Sequence, residues 1–208
     1  MPFWALIMSM LFIYNGLRQR LGACIVRYAD DIVILCRRGN SDRVMTGLRQ
    51  ILERLELTLN EAKTKVVDAF EERFNFLGFA IHMGKSRKTG KQYPCVQPSK
   101  KSLQAIKDRI TDLTKRDRTI MPLEWIVKEV NATVRGWVGY FHYRNSSNAL
   151  EKVRNHLEQR LITHLRKRHK VRNRQAGYVR FPKKSLYDRY GLYKVPTTAG
   201  WKKAHALQ

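Results

Sequence analysis

The sequence predicts an α+β protein, with antiparallel β-hairpins and a helix in its first half and an α-helical bundle after them. Three observations carry this. β-rich runs flank turn residues at two places between residues 23 and 97. Apolar residues then recur every three or four positions in three successive segments between 103 and 165. The chain is 43% hydrophobic over 208 residues, enough for a packed core. The expected divisions are 1–97, 98–171 and an irregular basic tail at 172–208.

Residues 3–14 form an apolar run, Phe3 to Tyr14. No Lys or Arg precedes it and no small-residue cleavage site follows before Arg18, so a buried helix or strand is expected rather than a secretion signal. No stretch of about 18 apolar residues exists, so no membrane partner is expected. Residues 23–37 place two β-rich arms around Ala29-Asp30-Asp31, a tight hairpin with both arms mostly buried. Ser41 is expected to cap a helix to about Leu57, with Asp42 in its first turn and Val44, Leu48, Ile51, Leu52 and Leu55 as its stripe. Lys63 to Val67 reads as a strand. Phe74 to Ile81 is a second β-rich run, Gly84 to Lys91 a turn, and Tyr93 to Gln97 the returning strand.

Three amphipathic helices follow. Their stripes are Leu103, Ile106, Ile110, Leu113; then Ile126, Val130, Val134, Val138, Phe141, with Pro122 at the start; then Leu150, Val153, Leu157, Leu161, Leu165. Beyond about Val171 the periodicity fades.

The charge is lopsided. The chain carries 41 Lys+Arg against 17 Asp+Glu, a net +24. Nearly all of the excess lies after Glu72, and no acidic residue stands between Glu158 and Asp188. A one-sign run of that length repels itself, and a bound phosphate backbone relieves the repulsion. The three cysteines, an odd count with no Cys-x-x-Cys pair, argue against a disulfide scaffold or a structural zinc and fit a cytoplasmic setting.

Asp30 and Asp31 are adjacent, in an apolar setting. Two carboxylates at such a turn repel each other unless a cation neutralises them, and magnesium takes oxygen ligands of this kind. Acidic residues are also simply common in turns. The full string, Tyr28-Ala29-Asp30-Asp31 between Ile25-Val26 and Ile32-Val33-Ile34-Leu35, resembles the catalytic motif of reverse transcriptases. Leu57 to Thr64 and Phe74 to Phe79 resemble the next two blocks of group II intron reverse transcriptases. Arg135-Gly136-Trp137-Val138-Gly139-Tyr140-Phe141 resembles their maturase-specific region, the thumb. The resemblance implies a partial palm followed by a helical thumb.

It also implies roles. Asp30 and Asp31 take the palm positions that bind two magnesium ions for nucleotidyl transfer. Tyr28 and Ala29 lie near the incoming nucleotide or primer end. Lys63 orders the site or meets phosphate, with a plain surface lysine as the alternative. Phe76, Leu77, Gly78 and Phe79 belong to the primer-grip hairpin, where Gly78 lets backbone approach backbone. Arg135, Tyr140 and Arg144 contact RNA, while Trp137 and Phe141 are core. The run Arg160, Arg166, Lys167, Arg168, Lys170, Arg172 and Arg174 binds nucleic acid. The expected partners are structured intron RNA, template RNA, primer DNA, and a separate N-terminal palm–finger fragment.

That fragment is invoked because the family's third carboxylate is missing. No acidic residue precedes Asp30, so the magnesium site is incomplete and the chain alone is expected not to polymerise DNA. The alternative is a non-catalytic RNA-binding module, in which the palm part only supports the fold.

Overall fold

The computed structural model describes residues 22–29 and 31–199. The apolar run at 3–14 and the aspartate Asp30 lie outside the described residues. The chain divides into two compact units, Met1–Phe76 and Leu77–Gln208. Strands and helices of mixed type build them, as the α+β reading expects.

In the first unit, β1 (Cys24–Tyr28) and β2 (Asp31–Leu35) form an antiparallel hairpin, with Ile25 opposite Ile34 and Tyr28 opposite Asp31. Ala29 opens the two-residue turn at φ +50°, the left-handed geometry that short hairpin loops favour. The arms are not buried as expected. Ile25 and Ile34 pack beside Val44, Leu48, Ile51 and Leu52 of helix α1 (Ser41–Arg54). Val26, Tyr28, Ile32 and Leu35 remain exposed. Among the described residues one helix lies against this two-stranded sheet, on one face.

Helix α1 has its N-cap at Asn40, one residue ahead of the expected Ser41, and ends at Leu55. Asp42 and Arg54 suit the two ends of its dipole. The expected strand at Lys63–Val67 is absent. The Asn60 side chain accepts from the Lys63 amide (3.2 Å), and the Asn60 carbonyl accepts from the Thr64 amide (3.0 Å) and hydroxyl (2.9 Å). An Asn that satisfies the amides ahead of it makes a turn. β3 (Phe74–Phe76) closes the unit.

In the second unit, β4 (Phe79–Lys85) and β5 (Gln92–Pro98) pair antiparallel from Phe79 opposite Pro98 to Lys85 opposite Gln92. Gly84 lies in the strand, not in the turn. A Cβ there would stand 3.2 Å from the ring of Tyr93 across the ladder. Ser99 then caps α2 (Lys100–Leu113) by accepting from the Ser102 amide (3.1 Å). A 3-10 turn (Arg116–Ile120) leads to α3 (Leu123–Phe141), and α4 (Ser147–Arg168) follows. The three expected stripes form one core in which Ile110, Val130, Val134, Leu150, Val153, Leu157, Leu161 and Leu165 are fully buried.

The tail is more ordered than its fading periodicity suggests. α5 (Arg174–Arg180) and α6 (Lys183–Asp188) pack on α4. Phe181, Leu186, Leu192 and Val195 are part of the core. Glu158 of α4 holds this segment down. It is buried, its Oε2 is 2.6 Å from Lys183 Nζ, and its Oε1 accepts from the Tyr187 hydroxyl at 2.6 Å. Burial, and then this bond, push the Tyr187 hydroxyl far above its ordinary titration range.

A second device joins α4 to α2. His156, Arg160, His164 and Arg168 are spaced by four on α4 and aim at backbone carbonyls. His156 Nε2 lies 3.1 Å from the Lys107 carbonyl and 3.0 Å from the Thr111 hydroxyl. Arg160 donates to the Thr114 hydroxyl (3.1 Å) and carbonyl (3.2 Å). His164 Nδ1 lies 3.4 Å from the same carbonyl. Arg168 donates to the carbonyls of Thr119 (2.8 Å) and Met121. The end of α2 exposes carbonyls that its own helix cannot satisfy, and donors from α4 supply the partners.

Burial is the main cause that holds His156 and His164 below the ordinary histidine value of 6.5; Lys107 and Arg160 add to it at His156, and Arg168 and Arg160 at His164. The unfolded chain therefore binds more protons just below pH 6.5. The stability these neutral rings support is present above pH 6.5 and is lost as pH falls through their depressed values. Urea unfolding of the chain should show a lower midpoint at pH 5 than at pH 7.5, and His164→Gln should flatten that difference. Glu158→Gln should lower stability by about 1–2 kcal/mol through lost hydrogen bonding and ion pairing. Leu161→Ala should lower it by about 3 kcal/mol.

Candidate functional site

The turn between Tyr28 and Asp31 joins β1 to β2 in the first unit. Tyr28, Ala29 and Asp31 are all exposed. Arg27 Nε donates to the Ala29 carbonyl at 2.7 Å, which fixes the turn from one side. Carboxylate oxygens are suitable donors for magnesium. However, among the described residues no group of three His, Cys, Asp or Glu side chains gathers. The described residues alone do not complete a magnesium site. Lys63 is exposed in the Asn60 turn of the same unit.

A second constellation is built around Leu77-Gly78-Phe79 in the second unit. Leu77 (φ +49°) and Gly78 (φ +78°) are both left-handed, the geometry of a type I′ turn. Their carbonyls are clamped. The Tyr140 hydroxyl of α3 donates to the Leu77 carbonyl (3.1 Å). The Gly78 carbonyl accepts from the Ser102 hydroxyl (2.9 Å) and the Ser99 amide (2.8 Å). A Cβ on Gly78 would stand 3.0 Å from Ser102 Oγ and 3.2 Å from the Phe141 ring. The close approach at Gly78 is thus to side chains of α2 and α3, where the sequence suggested backbone.

Aromatic rings complete the contact. Phe79 stacks at 4.9 Å from Phe141, 5.6 Å from Tyr140 and 6.5 Å from Tyr143. Trp137 lies 4.8 Å from Phe141. Phe141 is buried and Trp137 packs against the core, as expected of both. Two blocks about sixty residues apart in sequence are one physical assembly. Ser102, which hydrogen-bonds the glycine carbonyl, was not singled out in the sequence. Its signal is the Ser99-x-x-Ser102 capping pattern directly after a strand.

The expected cations divide into two groups. Arg160 and Arg168 turn inward onto carbonyls, as described. The aliphatic stem of Arg166 covers α5, where its Cδ lies 2.9 Å from the position a Cβ on Gly177 would take. Lys167, Lys170, Arg172, Arg174 and Arg135 are exposed. Arg135 stacks over Tyr193 (5.2 Å), Arg144 over Tyr143 (5.4 Å) and Arg174 over Tyr178 (5.7 Å).

Two families of known sequence match these regions. A model of the reverse transcriptase (RNA-dependent DNA polymerase) matches residues 4–81, which hold the Tyr28–Asp31 turn. A model of the group II intron maturase-specific domain matches residues 103–181, the helical bundle and α5. The chain belongs to the group II intron reverse transcriptase/maturases. No curated protein matches it. In a reverse transcriptase/maturase the first family is a nucleotidyltransferase family that usually depends on magnesium, and both domains imply binding of intron RNA and template. Among the described residues, no helix is long and apolar enough to cross a membrane.

In this reverse transcriptase/maturase the Gly78 turn tolerates little change. Gly78→Ala should lower the melting temperature of the helical unit, corresponding to about 1–3 kcal/mol of backbone strain. Tyr140→Phe removes only the bond to the Leu77 carbonyl and should lower stability by about 1 kcal/mol.

Proposed function

We propose that the chain uses the second unit to hold intron RNA and the template–primer, and the Tyr28–Asp31 turn as a palm element. The observation that carries this reading is electrostatic. Glu158 is the single acidic residue between Glu151 and Asp188, and it is buried and paired with Lys183. The surface of that stretch therefore presents cations with no carboxylate among them. Lys167, Lys170, Arg172 and Arg174 meet phosphates, and Arg135, Tyr140 and Arg144 also contact the RNA. The Arg166 head reaches the same phosphates from its packed stem.

In this reading Asp30 and Asp31 contribute two carboxylates toward magnesium, with Tyr28 and Ala29 beside the nucleotide and primer end. Lys63, Phe76, Leu77, Gly78 and Phe79 support the primer. The third carboxylate comes from palm–finger sequence that residues 1–208 do not contain, so these residues by themselves do not extend a primer. The divisions 1–97, 98–171 and 172–208 then correspond to palm, thumb and a basic C-terminal extension that completes the thumb.

Filter binding to a structured intron RNA should be tight at low salt and weaken about a thousandfold between roughly 50 and 200 mM. Replacing both Asp30 and Asp31 by Ala should leave that binding intact. Primer extension on an RNA template with magnesium should be absent for the chain alone, appear when a palm–finger fragment is added, and vanish again in the double variant. Salt-insensitive or absent RNA binding would contradict the proposal. Binding with no extension under any complementation would leave the RNA-binding role and remove the catalytic one.

A further inference from the structure

We infer that Tyr140, Tyr143 and Arg144, at the end of α3, form a stacking site for unpaired RNA bases, distinct in chemistry from the phosphate-facing lysines and arginines. The inference rests on the RNA-binding reading above and names the part of the RNA that this face takes. Three observations support it.

The rings are supported from behind and open in front. Tyr140 is held by Phe79 at 5.6 Å, by the edge of Phe141 at 4.7 Å and by its hydroxyl on the Leu77 carbonyl, yet it is 55% exposed. Tyr143 is 37% exposed and carries the Arg144 guanidinium over its ring, with Arg144 Nε donating to the Tyr143 hydroxyl at 3.0 Å. Aromatic faces and guanidinium planes are what unpaired bases stack on.

The turn that presents Tyr143 and Arg144 is prebuilt. Arg144 is left-handed at φ +45°, a conformation that a non-glycine residue adopts at some cost. It is held there by the pairing of Asn145 with Val96, amide to carbonyl at 3.1 Å and amide to side chain at 3.2 Å. The Tyr143 amide donates to the Ser146 hydroxyl at 3.2 Å. Apart from the bond to Tyr143, the Arg144 guanidinium has no hydrogen-bond or ion-pair partner among the described residues.

The floor beside Tyr140 is clear. Gly136 and Gly139, four and one residues before it on α3, are exposed, and nothing stands within 4 Å of where a Cβ would be at either. An exposed mid-helix glycine is less favourable than an alanine. Among the described residues no packing contact accounts for either. Gly136, one turn back, adjoins Tyr140 on the helix surface, and its missing side chain leaves access to the ring that a planar base can use.

The test compares a short single-stranded oligoribonucleotide with the same strand in a blunt duplex, bound to the full chain. Tyr140→Leu and Tyr143→Leu should each weaken single-strand binding about tenfold, leave duplex binding unchanged and keep the salt slope unchanged, because no phosphate contact is removed. Tyr140→Phe keeps the ring and should bind the single strand as the natural chain does. Arg172→Ala, a phosphate contact, should weaken both RNAs alike and reduce the salt slope by about one. Equal loss on both RNAs in the tyrosine variants, or no loss, would overturn the stacking site while leaving general RNA binding standing. A loss in Tyr140→Phe as large as in Tyr140→Leu would reassign Tyr140 to positioning the Leu77 turn. No salt-sensitive binding of either RNA by the natural chain would overturn the wider RNA-binding reading itself.

Discussion

Like-charge repulsion is the constraint around which the second unit is organised. A segment with this excess of Lys and Arg can fold only if its cations are kept outward or given oxygen partners inside. The structure does both. Arg160 and Arg168 are brought in, but onto the unsatisfied carbonyls at the end of α2 and the 3-10 turn, where a cation also suits the helix dipole. Lys183 is matched to the buried Glu158. Lys115 and Arg118 pair with Asp112 and Glu129, while Lys167, Lys170, Arg172 and Arg174 face solvent, so the arrangement that makes the bundle foldable also leaves its surface cationic.

The second organising contact is mechanical. The turn at Leu77 and Gly78 is held by a hydroxyl from α3, a hydroxyl from α2 and the amide that starts α2. Phe79 then wedges among Tyr140, Phe141 and Tyr143. A motif that reads as a strand end and a motif that reads as a helix turn are therefore interdependent. Any change at Gly78 is felt at Phe141, and any movement of Tyr140 is felt at the Leu77 carbonyl.

Much of this was legible in the residues, and the misses have physical reasons. The three bundle helices declared themselves because each stripe persists over three or more turns. The hairpin at 24–35 was legible, but its burial was not, since periodicity says which face is apolar and not whether anything covers it. Thr64, Val66 and Val67 favour a strand locally, and the Asn60 turn overrides them. α5 and α6 are too short for a period to show, and their core residues Phe181 and Leu186 stand alone in basic surroundings. The inward fate of Arg160 and Arg168 depends on carbonyls some fifty residues away. Their spacing by four with His156 and His164 was the available signal, and it marks a packed helix face more readily than a solvated one. For the site, the aromatic and basic residues of α3 were legible by type. The clamp that Ser102 and Tyr140 place on the turn was not, because it is a tertiary contact.

The most direct test of the account is hydrogen exchange on the full chain with and without a structured intron RNA. The account predicts slowed exchange along the C-terminal part of α3 through Arg144 and along Lys167 to Arg174, with the Cys24–Leu35 hairpin unchanged. Protection concentrated on that hairpin, or spread evenly over both units, would contradict the division of labour between a basic RNA-holding bundle and a separate carboxylate turn.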